Sequence, residues 1–294
     1  MNVIGNKWLF LSVSGLLVAA SIIAIIVFGF KPGIDFAGGT FWQLTAAGAT
    51  RETVTAALTD AGLTDATVTE EIGGDSFFIR APELTEADHQ AYLNALQEKF
   101  DAVDELRFEA IGAAIGGELK RRAIIAFFAV LLGISLYIAF AFRKVSRPVS
   151  SWKYGIITLL TLFHDALIPA GLYAVLGALG RTELDTNFIV AVLVVMGFSV
   201  HDTIVVFDRI RENLRVQGLA KKDFDTLVNE SVNQTMARSI NTSLTLVLVL
   251  VALFIFGAPS LNYFVLIILV GTIVGTYSSI FVASPLLTLW RKGG

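Results

Sequence analysis

Hydrophobic positions fall into two regimes along this chain. In the first, apolar runs are long enough to cross a hydrocarbon core of about 30 Å, which takes roughly 20 residues as helix. Leu9–Phe30 supplies 22 residues without a charge. Ala123–Phe142, Tyr154–Leu179, Asn187–Phe207, Ile240–Phe256 and Asn262–Trp290 complete six predicted spans. The first run is too long for a signal-peptide core and lacks a small-x-small cleavage site, so it reads as an uncleaved anchor.

The second regime, residues 31–122, has shorter periods. Phe41–Thr45 is strand-like, and Thr50 is placed to cap a helix that runs to Ala61 and stops at Gly62. Thr67–Ile72 alternates with period two, Gly73-Gly74-Asp75 makes a hairpin turn, and Ser76–Ala81 returns. Thr85-Glu86-Ala87-Asp88 opens a second helix to Phe100, and Val103–Ala110 is a last strand. The order β-α-β-β-α-β is that of a ferredoxin-like split unit, which implies no activity by itself. The fold class is therefore a polytopic α-helical membrane protein. It has six transmembrane helices and one extracytoplasmic ferredoxin-like α+β domain between helices 1 and 2. The divisions are 1–30, 31–122 and 123–294, the last including a cytoplasmic loop over 209–238.

Composition agrees. The 294 residues are 55% hydrophobic and 16% charged, and 16 of the 25 acidic residues lie between Asp35 and Glu118. One polar domain among lipid-facing segments explains that asymmetry. A net charge of −3 gives no footprint for nucleic acid, and the absence of cysteine excludes disulfides, thiolate metal sites and a cysteine nucleophile.

Lysine and arginine set the orientation. With the amino terminus inside, the inner segments hold Lys7, then Arg143, Lys144, Arg147 and Lys153, then Arg209, Arg211, Arg215, Lys221, Lys222 and Arg238, then Arg291 and Lys292. That is 13 of the 22, whereas the short outer loops hold only Arg181. Both ends are expected in the cytoplasm of a bacterial inner membrane, with 31–122 outside. Phe224, Leu227, Val228, Val232 and Met236 suggest an amphipathic helix along the inner surface.

An ionisable side chain at membrane depth costs about 2.5–3.5 kcal/mol on insertion scales, so it faces protein or water. Thr158, Thr161 and Asp165 share one face of the third span, with Pro169 beyond them. Asp202 lies in the inner half of the fourth. Arg238, Asn241, Thr242 and Thr245 form a stripe opening the fifth, and Thr272, Thr276 and Ser279 one on the sixth, beside Gly271-x-x-x-Gly275. These stripes converge on a polar seam in which Arg238 tunes whether Asp202 holds a proton. A structural ion pair is the alternative for Asp202, and the more so for Asp165. His164-Asp165 and His201-Asp202 invite a metal reading, but neighbouring helix residues point about 100° apart and cannot chelate alone. His89 reads as a solvated helix residue. Gly33-Ile34-Asp35-Phe36-Ala37-Gly38-Gly39-Thr40 has glycine where a phosphate loop needs lysine.

That glycine-rich segment, His201-Asp202 followed by Val205-Val206-Phe207-Asp208-Arg209-Ile210-Arg211-Glu212-Asn213, and Arg238-Ser239-Ile240-Asn241-Thr242-Ser243 closely resemble the signatures of the SecF family, in the family's order. The resemblance implies half of a SecDF complex of the resistance-nodulation-division superfamily, coupling proton flow to preprotein translocation and not acting as an enzyme. Its implied partners are a SecD-type subunit, the SecYEG channel, YidC, unfolded preproteins and membrane lipids. The implied relay is Asp202 with Arg238, joined by Asp165; His201, His164, Thr161, Asn241, Thr242 and Thr245 would support it. The implied signature positions are Gly33, Asp35, Phe36, Gly38, Gly39, Asp208, Arg209, Arg211, Glu212 and Asn213. His201 stands where asparagine is the commoner family residue. No cofactor is expected; the coupling ion is the proton, with sodium left open because oxygen ligands serve both. Two other roles stay open: a stand-alone small-molecule or lipid exporter, and a structural subunit that moves no protons.

Overall fold

The computed structural model describes residues 1–70, 76–143, 149–217 and 223–290. The expected turn Gly73-Gly74-Asp75 and the basic residues Lys144, Arg147, Lys221, Lys222, Arg291 and Lys292 lie outside the described residues. In chain order the elements are α1 (Lys7–Phe28), α2 (Ile34–Ala37), β1 (Gly39–Ala46), α3 (Arg51–Asp60), β2 (Thr67–Glu70), β3 (Ser76–Ala81), α4 (Glu86–Lys99) and β4 (Val103–Ile111). Then follow α5 (Ala113–Ala141), α6 (Ser151–Ala178), α7 (Thr186–Gln217), α8 (Phe224–Phe256), α9 (Asn262–Ser278) and α10 (Ser284–Leu289). The chain divides into a helical unit and an α/β unit, the latter comprising Pro32–Ile124 and Leu184–Thr186.

In the α/β unit the four strands pair antiparallel in the order β2-β3-β1-β4, the ferredoxin-like arrangement. Both helices begin on capping boxes, Thr50 with Thr53 and Thr85 with Asp88, which satisfy otherwise orphaned first-turn amides. β1 alternates strictly, burying Trp42, Leu44 and Ala46. These pack with Val54 and Leu58 of α3, Leu96 of α4, and Phe77 and Ile79 of β3 in one core. His89 departs from expectation. It is 3% exposed, with its ring centroid 3.6 Å from that of Phe108 and 5.1 Å from that of Trp42. Its Nε2 bonds the Glu105 carboxylate, which also accepts from Trp42 Nε1 at 2.9 Å. A buried ring among aromatics needs such a partner, so the residue is core rather than solvated.

Among the described residues six helices are long and apolar enough to cross a membrane: α1, α5, α6, α7, α8 and the continuous run Asn262–Leu289. That last run is α9 and α10 joined through a π turn, Ser279–Ala283. Leu16, Ile23 and Ile26 of α1, Ile125, Phe128 and Leu132 of α5, and Leu248 and Phe256 of α8 are exposed, as lipid-facing surfaces require. Glycines bring helices together elsewhere. A Cβ on Gly171 of α6 would lie 2.6 Å from Ser21 Cα of α1, and one on Gly155 would lie 2.8 Å from the Ser135 carbonyl of α5.

The segment expected as a long loop over 209–238 is mostly helix. α7 continues to Gln217 and α8 begins at Phe224. Phe224, Leu227, Val228 and Val232 do not lie along a surface. They are buried with Val206, Phe207 and Ile210 of α7 and with Val3 and Ile4 ahead of α1. Asn229 secures the latter, accepting from the Val3 N–H at 2.8 Å and donating to the Met1 carbonyl at 3.2 Å.

Candidate functional site

Asp165 lies mid-way along α6 and is fully buried. Its Oδ2 accepts from Ser278 Oγ of α9 at 2.7 Å and from Ser199 Oγ of α7. Its Oδ1 meets His164 Nδ1 at 2.8 Å, and His164 is itself buried. A buried carboxylate is tolerable only when its lone pairs are occupied, and here both partners from other helices are serines. Serine reaches across a helix pair only if the backbones are close. The small residues of α9 provide that closeness: a Cβ on Gly271 would stand 2.2 Å from Val195 of α7, and one on Gly275 would stand 2.9 Å from Ser199 Cβ. The Gly-x-x-x-Gly pattern thus makes the carboxylate's hydrogen bonds possible.

Asp202, one turn beyond Ser199 on α7, is 1% exposed. Ser243 Oγ of α8 donates to its Oδ2 at 3.3 Å, and Ser243 is joined to Thr276 Oγ1 of α9 at 2.5 Å. Ser239 and Thr272, one turn earlier on the same two helices, are buried, and their hydroxyls have no hydrogen-bond partner among the described residues. The seam therefore carries two carboxylates, each accepting from a hydroxyl of a neighbouring helix.

Several expected members stand elsewhere. Thr161 is buried, but its hydroxyl returns to its own helix, to the carbonyls of Ile157 at 3.1 Å and Thr158 at 2.9 Å. The His201 side chain is 66% exposed, with Nδ1 3.9 Å from Asp202 Oδ1. Arg238, Asn241, Thr242 and Thr245 lie on the exposed face of α8, while Ser239 and Ser243 turn inward. Among the described residues no ion pair joins Arg238 to Asp202. Arg238 instead lines a groove with Asp208, Arg209, Glu212, Gln234 and Thr235.

Around that groove the ends of α7 and α8 are laced together. Arg209 donates to Gln234 Oε1 at 2.7 Å and to Glu212 at 2.6 Å, and Arg211 pairs with Asp208. Asn213, 5% exposed, bonds Ser231 Oγ at 2.8 Å and Gln234 Oε1 at 2.9 Å.

In the α/β unit the glycine-rich segment makes a tight junction. Gly38 and Gly39 have φ of +75° and +111°, and a Cβ on Gly38 would lie 2.7 Å from Ala113 Cα. No other residue combines that backbone with that closeness. Phe36, half-buried in α2, precedes them. The Gly33 N–H donates to the Leu184 carbonyl at 2.8 Å, and Asp35 Oδ2 accepts from the Thr186 N–H at 2.7 Å.

Two families of sequence pattern match the chain. Residues 23–40 fit the SecD/SecF GG motif. Residues 91–293 fit the protein export membrane protein SecD/SecF, C-terminal. The chain belongs to the SecD/SecF family. The protein translocase subunit SecF of Thermobaculum terrenum is 42% identical, the match covering 99% of this chain and 94% of that one. That of Anaerolinea thermophila is 37% identical over 100% and 95%. The crystal structure of SecDF from Thermus thermophilus, titled a translocon-associated membrane protein, superposes with a TM-score of 0.84 at 35% identity, over 99% of this chain and 38% of that chain. A SecDF crystal structure in a super-membrane-facing form gives 0.69. This chain thus spans under half of the SecDF chain it matches, while it is nearly coextensive with the SecF relatives. It is a multi-pass membrane protein by its six apolar helices and its SecD/SecF relatives.

For this SecD/SecF member, Ser199, Ser239, Ser243 and Ser278 are the seam residues that sequence reasoning missed. Their signal was present in the one-turn spacing of Ser239 and Ser243, and in the register of Ser199 and Asp202, three residues apart.

Proposed function

We propose that this chain works with a SecD-type subunit in preprotein export, and that protons held and released in the Asp165–Asp202 seam drive its conformational cycle. The observation that carries the reading is the pair of buried carboxylates at membrane depth, each bonded to hydroxyls of neighbouring spans and, among the described residues, to no lysine or arginine. Such groups are costly and are retained where they handle ions. A carboxylate without a permanent cation can gain or lose a proton with a change in its hydroxyl partners. One proton crossing 100 mV releases about 2.3 kcal/mol, enough for a modest helix displacement.

The exposed polar face of α7 and α8, with His201, Arg238, Asn241, Thr242 and Thr245, is unsuited to lipid. We assign it to the SecD-type partner, which would bring Arg238 and a facing polar group to the edge of the seam. SecYEG, YidC and the unfolded preprotein are the further partners of this reading. The chain is placed in the bacterial cytoplasmic membrane with both termini inside and the α/β unit outside. The role is mechanical rather than enzymatic, and no cofactor enters it.

The test is preprotein export into membrane vesicles carrying the chain with its SecD-type partner. A proton ionophore is expected to lower export to the level of D202N, with no further loss when both are combined. Export that follows the sodium gradient instead would identify sodium as the coupling ion. Full gradient-dependent export by D202N, with the complex intact, would reduce the chain to a structural subunit.

A further inference from the structure

The junction built by the glycine-rich segment reaches the helix that carries Asp202. Pro32 bridges Leu184 in parallel fashion, the Gly33 N–H bonds the Leu184 carbonyl at 2.8 Å, and Asp35 Oδ2 accepts from the Thr186 N–H at 2.7 Å. Thr186 is the first residue of α7, and Asp202 follows 16 residues later on the same helix, about 24 Å along its axis. The first amides of a helix lack intrahelical acceptors and form its positive end, so an aspartate oxygen there acts as a cap supplied from outside the helix. Asp35 has little freedom to drift from that post. Its short helix α2 closes on the Gly38 N–H, which donates to the Ile34 carbonyl at 2.8 Å. Behind it, a Cβ on Gly116 of α5 would stand 3.1 Å from Gly38 N and 3.3 Å from the Asp35 carbonyl.

We propose that Asp35 is a positioning residue for ion coupling: by accepting from Thr186 it caps the outer end of the helix that carries Asp202. This rests on the reading of Asp202 as the coupling carboxylate. On that footing, the glycines of the motif exist to hold one acid against one amide.

The experiment uses the full chain with its SecD-type partner in vesicles, comparing wild type, D35A, D35N, T186P, the D35A/T186P double variant and D202N. Hydrogen exchange is followed across 184–190, with α9 as the folding reference. Export is expressed as the ratio with and without the proton gradient, which loss of folded protein alone does not move. D35A is expected to speed first-turn exchange about fivefold, the size of a lost cap, and to lower the ratio. D35N, whose amide oxygen still accepts, restores most of both. T186P removes the donor at a helix position that tolerates proline, so it should lower the ratio as D35A does, and the D35A/T186P double variant should add nothing. Unchanged first-turn exchange in D35A overturns the inference, and so does faster exchange with an unchanged ratio. D202N separates the failures: a normal ratio in D202N sinks the coupling reading together with the inference, whereas a reduced ratio in D202N beside a normal one in D35A sinks the inference alone.

Discussion

Asp165 and Asp202 are linked by a single turn of α7: Ser199, which donates to Asp165, is three residues before Asp202 on the same face. The two acids have different surroundings. Asp165 is held by serine hydroxyls from two other helices and by the adjacent imidazole, while Asp202 accepts from Ser243 Oγ at 3.3 Å. The first ties α6, α7 and α9 together; the second is the acid to which the proposed cycle gives a change of partner.

Removing a donor from Asp165 should therefore cost stability. S278A leaves a buried carboxylate oxygen short of a hydrogen bond, and the expected loss is about 1–3 kcal/mol. Denaturant titration of the purified chain in detergent checks this, and a loss below about 0.5 kcal/mol, the scale of surface changes, would contradict it.

The closeness of α7 and α9 predicts a coupled pair. G271A places a methyl where Val195 already stands and should destabilise by about 1–3 kcal/mol, the usual range for overpacking. V195A makes room, so the double variant should recover part of that loss. A double-mutant cycle reads the coupling, expected at about 0.5 kcal/mol or more because the two sites touch.

The α8 serines and the exposed stripe should separate by phenotype. S243A is expected to impair gradient-dependent export with little effect on recovery of the complex with SecD. T242A/T245A should leave the stability of the chain within about 0.5 kcal/mol, as surface changes do, yet weaken co-purification with the SecD-type subunit. Equal behaviour of the two variants would show that the division of α8 into inner and outer faces has no functional meaning.

In the α/β unit, H89A should be costly despite its place on a polar helix. It empties a site between Trp42 and Phe108 and strips the Glu105 carboxylate of a partner. A loss of about 2–3 kcal/mol is expected. Thermal unfolding followed by near-ultraviolet circular dichroism at Trp42 measures it.

Much of this architecture is legible without coordinates, because span length and the periods of strand and helix leave marks many residues long. The six spans and the β-α-β-β-α-β order rest on such marks. The side of α8 that turns inward does not. Arg238, Ser239, Asn241, Thr242, Ser243 and Thr245 put polar atoms on both faces, and the bulkier polar groups drew the stripe outward while the small serines do the packing. His89 was obscured for a related reason: a single histidine among Glu86, Asp88 and Gln90 carries no periodic signature of its aromatic neighbours. The continuity of α7 and α8 beyond the membrane-length runs was hidden by their charges, which sit in i,i+3 pairs such as Arg209 with Glu212 on a helix rather than in a loop.

The contact of Gly171 with Ser21 gives α1 an identity that its plain apolar composition conceals. A helix seated on another with no gap for one methyl group has a fixed azimuth and a fixed depth. An unrelated hydrophobic anchor of equal length would insert in the bilayer as readily and still dock wrongly. The first span is in that respect a keyed component of the bundle rather than an interchangeable tether.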